Sequence, residues 1–244
     1  MKIITIDGAR PQFVKAADVS RAIFRYNEVN DAKIQEIIEH TGQHFDRNMS
    51  EVFFNQMDIP KPHYNLDLKS LSHGTMKGKM LAKTEEVLVA EKPYWVLVYS
   101  NTNATTAGGL AAKKIHIKVA HREAGFRSFN MLRPQEVNRI LTDHISDTLF
   151  CSTQTAIDNL KNEGYSNIEI KQVHCGDVMY DAALFHTKDA AKPKSEIELG
   201  DFVLSTIHRQ ENTDDPDSLA SIFDALGGDC NKNHGCTTIA SKNN

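Results

Sequence analysis

Short apolar runs alternate with segments whose apolar positions recur at helical spacing along most of this chain. Residues 3–6 read as a first strand. From 11 to 24, Phe13, Ala16, Ala17, Ile23 and Phe24 can share one helix face, and Pro11 suits a first helical turn. A strand is expected around 33–38, a helix over 49–57 and a long helix over 76–89, closed by Lys92 and Pro93. Residues 95–99 form an unbroken apolar run of the kind found in strands covered on both faces. The order then repeats: helix 107–114, strand 117–120, helix 135–145, strand 148–151, helix 155–163, strand 168–173 and helix 178–185. Such alternation predicts an α/β fold built on a doubly wound parallel sheet.

A charged stretch at 188–200, with Lys192, Pro193 and Lys194, reads as a linker after a first domain at 1–187. Strand 202–207 and helix 219–226 open what looks like a second βα unit, at 201–226. After Leu226 the apolar residues thin to Cys230, Cys236, Ile239 and Ala240, and no period survives. A strand and a helix cannot enclose a core by themselves. The expectation for 227–244 is therefore an aberrant or disordered tail, with the out-of-frame end of a truncated gene favoured.

Composition narrows the function classes. Lys and Arg number 28 against 32 Asp and Glu, a net charge of -4, so the basic excess of a nucleic-acid binder is missing. No stretch approaches the ~20 apolar residues of a membrane span. A cytoplasmic protein without nucleic-acid or membrane partners is expected. Cys151, Cys175, Cys230 and Cys236 have irregular spacing, which argues against a disulfide framework, and Cys151 reads as a small buried residue. Cys230, His234 and Cys236 match no structural zinc pattern, so no metal is expected.

Open parallel sheets bind ligands beyond the carboxyl ends of their strands, where loops meet helix N-termini. Four polar loops occupy such places: 8–10, 100–103, 121–127 and 208–212. Arg10 and Lys15 could flank a bound phosphate, or could be solvent-facing charges; neither a dinucleotide nor a Walker glycine pattern is present. Glu123 follows a buried-type strand and could act as an acid or base, or could pair with Arg127 or Arg139. His208 stands out among 11 histidines by its strand-end position.

Together these loops resemble the UDP-N-acetylglucosamine 2-epimerase family of the bacterial, non-hydrolysing type. The matching stretches are Gly8-Ala-Arg-Pro-Gln-Phe, Thr41-Gly-Gln-His, Glu123-Ala-Gly-Phe-Arg-Ser-Phe-Asn, Asn138-Arg-Ile-Leu-Thr-Asp-His, Gly176-Asp-Val-Met-Tyr-Asp and Thr206-Ile-His-Arg-Gln-Glu-Asn-Thr-Asp-Asp. They run in family order to about Leu226. The resemblance implies two Rossmann-like domains in a glycosyltransferase-B-like architecture, the second one truncated here, with a UDP-sugar between them and no cofactor. Family members interconvert UDP-N-acetylglucosamine and UDP-N-acetylmannosamine for polysaccharide assembly, by eliminating UDP and adding it back after inversion at C2. Chemically, C2 is not adjacent to a carbonyl, so losing its proton needs the departing anomeric phosphate, stabilised by cations, and acid/base groups on both faces.

Carried over by position, Arg10, Lys15, Arg139 and Glu211 would contact the nucleotide sugar. Glu123 would join the acid/base set, and His208 the leaving-group region. Gln43 would mark part of a regulatory UDP-sugar site. Family members are usually homodimers. Two departures touch the chemistry: Ser100-Asn101-Thr102 stands where the family has Gly-Asp-Thr, and Pro134-Gln135-Glu136 where it has Pro-Glu-Glu. Asn101 and Gln135 thus occupy catalytic carboxylate positions with amides, which cannot exchange a proton near neutral pH. Losing such groups costs about 10²- to 10⁴-fold each. Glu136 cannot replace Gln135, one helical step turning the side chain by about 100°. Arg122 and Asp7 stand where the family is apolar, and either could distort the site. The leading expectation is an impaired epimerase; the competing ones are a nucleotide-sugar-binding or regulatory protein without chemistry, and a glycosyltransferase of the same architecture.

Overall fold

The computed structural model describes residues 1–42, 60–68, 72–190, 204–207, 210–230 and 237–240. The chain divides into two compact units, Met1–Ala190 and Ala191–Asn244.

The first unit runs β1 (Lys2–Asp7), α1 (Arg10–Val29), β2 (Gln35–His40), β3 (Tyr64–Asn65), α2 (His73–Glu91), β4 (Trp95–Tyr99), α3 (Asn103–Lys114), β5 (Lys118–Arg122), α4 (Pro134–Ile145), β6 (Thr148–Cys151), α5 (Gln154–Asn162), β7 (Lys171–His174) and α6 (Val178–His186). The strands make one seven-stranded sheet in the order β3-β2-β1-β4-β5-β6-β7, and every pairing is parallel. The fold is thus α/β with a doubly wound sheet. Its order reverses between β1 and β4, where the loops leaving the two strands diverge and open a crevice.

Alternation along each strand sorts the core into two layers. Ile4, Ile6, Val96, Val98 and Val119 pack with Met80 and Leu88 of α2 and with Ala104, Ala107 and Ala111 of α3. Leu97, Tyr99 and Ala120 turn the other way, toward Ala16 of α1. The alanines of α3 bring that helix backbone close to the sheet.

Helix ends follow local chemistry. Thr102 caps α3 by accepting from the Thr105 N–H at 3.3 Å, Thr153 caps α5 and Asp177 caps α6. Lys92 closes α2 in a left-handed conformation (φ 48°) just before Pro93.

Three strands run past their apolar segments. β1 extends to Asp7, β2 to His40 and β5 to Arg122, one or two residues beyond the expected ends. Those polar residues remain in the sheet because each finds a polar partner: Asp7 and His40 each other, and Arg122 the Cys175 thiol and the Gly176 carbonyl. β7 starts at Lys171, later than expected, and follows a short 3-10 turn at Tyr165–Asn167. The expected helix at 49–57 lies outside the described residues, and β3 had no signal in the apolar pattern.

In the second unit β8 (Leu204–Ile207) is followed by α7 (Gln210–Thr213) and α8 (Pro216–Cys230). β9 (Thr237–Ala240) pairs with β8 in parallel, in a stretch where no periodicity pointed to a strand. No helix of the described residues is long and apolar enough to cross a membrane.

Candidate active site

The site sits at the carboxyl ends of β1, β4 and β5. Register aligns these ends: Tyr99 lies opposite Arg122, and Ile6 opposite Val98. The residues that follow β4 and β5, Ser100 and Glu123, both hold left-handed backbones (φ 59° and 64°), which non-glycine residues rarely adopt. These sharp exits turn both side chains into one cluster. From α1, Lys15 Nζ donates to Glu123 Oε2 at 2.5 Å and to Ser100 Oγ at 2.6 Å. The Ser100 hydroxyl donates to the same carboxylate oxygen. Lys15 is buried, its side chain 9% exposed against 14% for Glu123, so the pair is shielded without being sealed.

The turn that delivers Lys15 is held by Gln12. Its side-chain oxygen accepts from the N–H groups of Gly8 and Ala9 at 2.8 and 3.0 Å, half of a capping box. Its amide donates to the Tyr99 carbonyl at 2.6 Å and to the Thr102 and Thr105 hydroxyls, each at 3.1 Å. Gln12 thus ties the exit of β1 to the exit of β4. Gly8 is required by close approach: a Cβ there would lie 2.5 Å from Thr41 Oγ1 and 2.7 Å from Ala104 Cβ.

Two buried Asp–His pairs flank the cluster. Asp7 Oδ1 and His40 Nδ1 are 2.7 Å apart, and burial pushes the Asp7 carboxyl up despite His40. Asp143 Oδ1 and His121 Nδ1 are also 2.7 Å apart. Burial pushes Asp143 up too, yet His121 and Arg127 outweigh it and hold the carboxyl below its usual range. Arg127 Nη1 reaches Asp143 Oδ2 at 2.7 Å, and its Nε and Nη2 form a fork on Glu163, both at 2.7 Å. Gly125, with φ +77°, donates its N–H to Asp143; a Cβ there would lie 2.4 Å from the Ala156 carbonyl oxygen.

The Arg122 guanidinium lies away from the Lys15–Glu123 cluster. Alternation sends its guanidinium to the other face of β5, where it donates to Cys175 Sγ at 2.7 Å and to the Gly176 carbonyl at 3.1 Å. Asp7 is likewise accommodated, through His40. The partner of Glu123 is Lys15; Arg127 is committed to Asp143 and Glu163, and Arg139 Nη1 lies 2.6 Å from Glu136 Oε2. Glu136 is buried, and its other oxygen accepts from the N–H groups of Ser128 and Phe129 at 2.8 and 2.9 Å. Glu136 therefore anchors the loop after β5 and orients Arg139, while Gln135 beside it faces solvent.

Asn101 is half-buried at the tip of the β4 loop. Its carbonyl accepts from Asn138 Nδ2 at 3.0 Å, and Asn138 Oδ1 accepts from Lys77 at 2.7 Å. Arg10 opens α1, and Glu211 lies in α7 of the second unit. Gln43 and His208 fall outside the described residues, as do His234 and Cys236. Among the described residues no group of three or more His, Cys, Asp or Glu side chains is placed to hold a metal ion.

Sequence reasoning gave no role to Gln12, His40, His121 and Asp143, and saw Ser100 only as a departure from the family pattern. The first could have been found as a Gln three residues after Ala9 at a helix start. The others follow or end strands, or lie on a helix, at positions whose polar partners are distant along the chain. The arrangement offers one carboxylate and one ammonium that share a proton-bearing hydroxyl at the switch point, which suits proton transfer beside an anionic ligand.

The sequence model of the family described as UDP-N-acetylglucosamine 2-epimerase matches residues 27–243, so the likeness continues past Leu226. The UDP-2,3-diacetamido-2,3-dideoxy-D-glucuronate 2-epimerase of Pseudomonas aeruginosa is 56% identical over 226 residues, covering 93% of this chain and 62% of the relative. The UDP-N-acetylglucosamine 2-epimerase of Methanocaldococcus jannaschii is 41% identical over 233 residues, with the same 93% and 62% coverage. Among solved structures, the M. jannaschii UDP-GlcNAc 2-epimerase in complex with UDP-GlcNAc and UDP superposes with a TM-score of 0.84 at 38% identity, over 100% of this chain and 66% of that one. The Neisseria meningitidis UDP-GlcNAc 2-epimerase bound to UDP-GlcNAc gives 0.82 at 26% identity, again over 100% and 66%. The chain spans about 62% of the length of the curated relatives it matches. On this sequence match and this sheet, the chain belongs to the UDP-N-acetylglucosamine 2-epimerase family.

Proposed function

We propose that this chain acts on a UDP-linked 2-acetamido sugar, epimerising it at C2 by eliminating UDP and adding it back, with Glu123 as the surviving acid/base group. The observation that carries this reading is the Lys15–Ser100–Glu123 cluster at the β1/β4 switch point. In this reading Lys15 supplies positive charge to the departing diphosphate, and Glu123 takes or returns the C2 proton. UDP-N-acetylglucosamine, interconverted with UDP-N-acetylmannosamine in polysaccharide assembly, is the first substrate to test. The Pseudomonas relative's name makes UDP-2,3-diacetamido-2,3-dideoxy-D-glucuronate the second.

Arg10, Arg139, Glu211 and His208 complete the proposed ligand set, and Gln43 a regulatory subsite. In the proposal, catalysis is impaired by the amides at Asn101 and Gln135, and the protein assembles as a homodimer. The reading favours 1–187 and 201 onward as the two lobes, joined at 188–200. No metal or organic cofactor enters the proposed reaction.

Solvent deuterium entering C2 of each sugar is the decisive measurement, run beside a binding titration. Saturable binding with slow exchange is expected, and Glu123→Gln lowers the exchange about 10²-fold or more. Binding with no exchange supports the second reading, a nucleotide-sugar-binding protein, which the two amides favour. Absence of binding to either sugar nucleotide overturns both.

A further inference from the structure

His121 is fully buried, and alternation along β5 turns it toward α4, away from Arg122. Both ring nitrogens face oxygen: Nδ1 is 2.7 Å from Asp143 Oδ1 and Nε2 is 2.7 Å from the Ser100 carbonyl. A carbonyl oxygen only accepts, so Nε2 carries a hydrogen. At the other nitrogen the proton sits on Nδ1 or on Asp143. Asp143 already accepts from Arg127 at 2.7 Å and from the Gly125 N–H at 3.2 Å, donors that favour its ionised form. Nδ1 therefore donates as well, and a ring that donates from both nitrogens is an imidazolium.

The charges around it agree. His121, Asp143, Arg127 and Glu163 alternate in sign along a connected run that ends at the partly exposed Glu163. Burial pushes the nearby Cys151 thiol up to about 12 and raises the Tyr165 phenol, so both are neutral beside Asp143. Counted with Glu163, the four groups balance when His121 is charged and carry one excess negative charge when it is neutral.

Ser100 is where this matters. Its N–H donates to the Arg122 carbonyl at 3.0 Å and its hydroxyl joins Lys15 and Glu123, while its carbonyl is held by His121. We infer that His121, braced by Asp143, is a positioning residue: as a cation it fixes the Ser100 carbonyl and so the left-handed turn that brings the Ser100 hydroxyl and Lys15 to Glu123. The role rests on reading that cluster as the sugar-nucleotide site.

The test is nitrogen NMR on the whole chain labelled in its histidine rings and lysine ammonium groups, at neutral pH. His121→Gln assigns the His121 signals. Both ring nitrogens are expected to carry hydrogens protected from exchange, and Asp143→Asn to strip the one on Nδ1 while leaving that on Nε2. A ring with one bare nitrogen in the unaltered protein overturns the inference. The Lys15 ammonium, protected in the unaltered chain, is expected to exchange rapidly in both variants; equal protection in all three proteins overturns the positioning role. Should His121→Gln not fold, Asp143→Asn carries both readouts. Under saturating sugar nucleotide, Asp143→Asn is expected to lower the rate of C2 exchange about tenfold with little change in KM. A chain silent toward both sugar nucleotides counts against the proposed function, and the ring and ammonium signals still decide the role of His121.

Discussion

The two Asp–His pairs that flank the site share a distance and differ in charge. Asp7–His40 joins β1 to β2, and Asp143–His121 joins α4 to β5; each is 2.7 Å long and buried. Yet the Asp7 carboxyl is pushed up and the Asp143 carboxyl held down. At Asp7, burial dominates and His40 alone acts against it. At Asp143, the same histidine contact is joined by the Arg127 guanidinium. Glu39 extends the contrast: buried at the end of β2 with Thr84 donating at 2.5 Å, it is pushed up by burial to about 7. Geometry of one hydrogen bond therefore does not fix a buried acid's charge; the supply of further positive donors does.

Arg127 tests that statement most severely. Replacing it with leucine leaves Asp143 with His121, much as Asp7 has His40, and also releases Glu163. Breaking one partner out of a buried ionic run destabilises by about 3–5 kcal/mol. Urea unfolding of Arg127→Leu should show a loss of that size. Adding Asp143→Asn should return part of it, since the uncompensated carboxylate is then gone. A loss below about 1 kcal/mol in the single variant would mean that Arg127 contributes little to the ionised state of Asp143.

The acids at the two ends also oppose each other in pH dependence. Glu39 is raised from 4.5 to about 7 in the folded chain, so the folded state binds its proton more tightly than the unfolded one. Stability from this group is complete below about 4.5 and is lost as pH rises toward about 7, by roughly 3 kcal/mol. Asp143 has the reverse sign: its contribution is present above its usual value of 3.8 and is lost as pH falls below it. Glu39→Gln should flatten the decline between mildly acidic and neutral pH while leaving the acid-side loss in place. A profile that keeps its neutral-side slope in Glu39→Gln assigns that slope elsewhere.

Where the sequence was readable, apolar period and burial coincided. Trp95–Tyr99 and Thr148–Cys151 have the expected bounds, and α1, α2 and α4 surround their predicted cores. The site was less legible for one physical reason. Of the strands at or beside it, β1, β2 and β5 end in polar residues, Asp7, Glu39, His40, His121 and Arg122, which read as loop until their partners are known. Those partners lie about 20 to 50 residues away along the chain: His121 with Asp143, Glu39 with Thr84, Arg122 with Cys175. Glu123 and Lys15 were both singled out, but a salt bridge spanning 108 positions carries no local signature. Glu136 was seen only as a misplaced carboxylate; its part in anchoring the loop at Ser128 and Phe129 needed coordinates.

The smallest effect concerns the turn on which the site depends. Ser100 stands where the family resemblance calls for glycine, and its φ of 59° explains the glycine. A side chain in that conformation costs about 1 kcal/mol or more, which the contacts to Lys15 and Glu123 offset. Ser100→Ala removes the hydroxyl and keeps the strain, whereas Ser100→Gly removes both. The glycine variant should therefore be the more stable of the two by about 1 kcal/mol, read from paired denaturant curves. Both should retain the direct Lys15–Glu123 bond, so a difference between them isolates the backbone. Equal stabilities would show that the left-handed turn is unstrained, and that the clamp from His121 has nothing to hold in place.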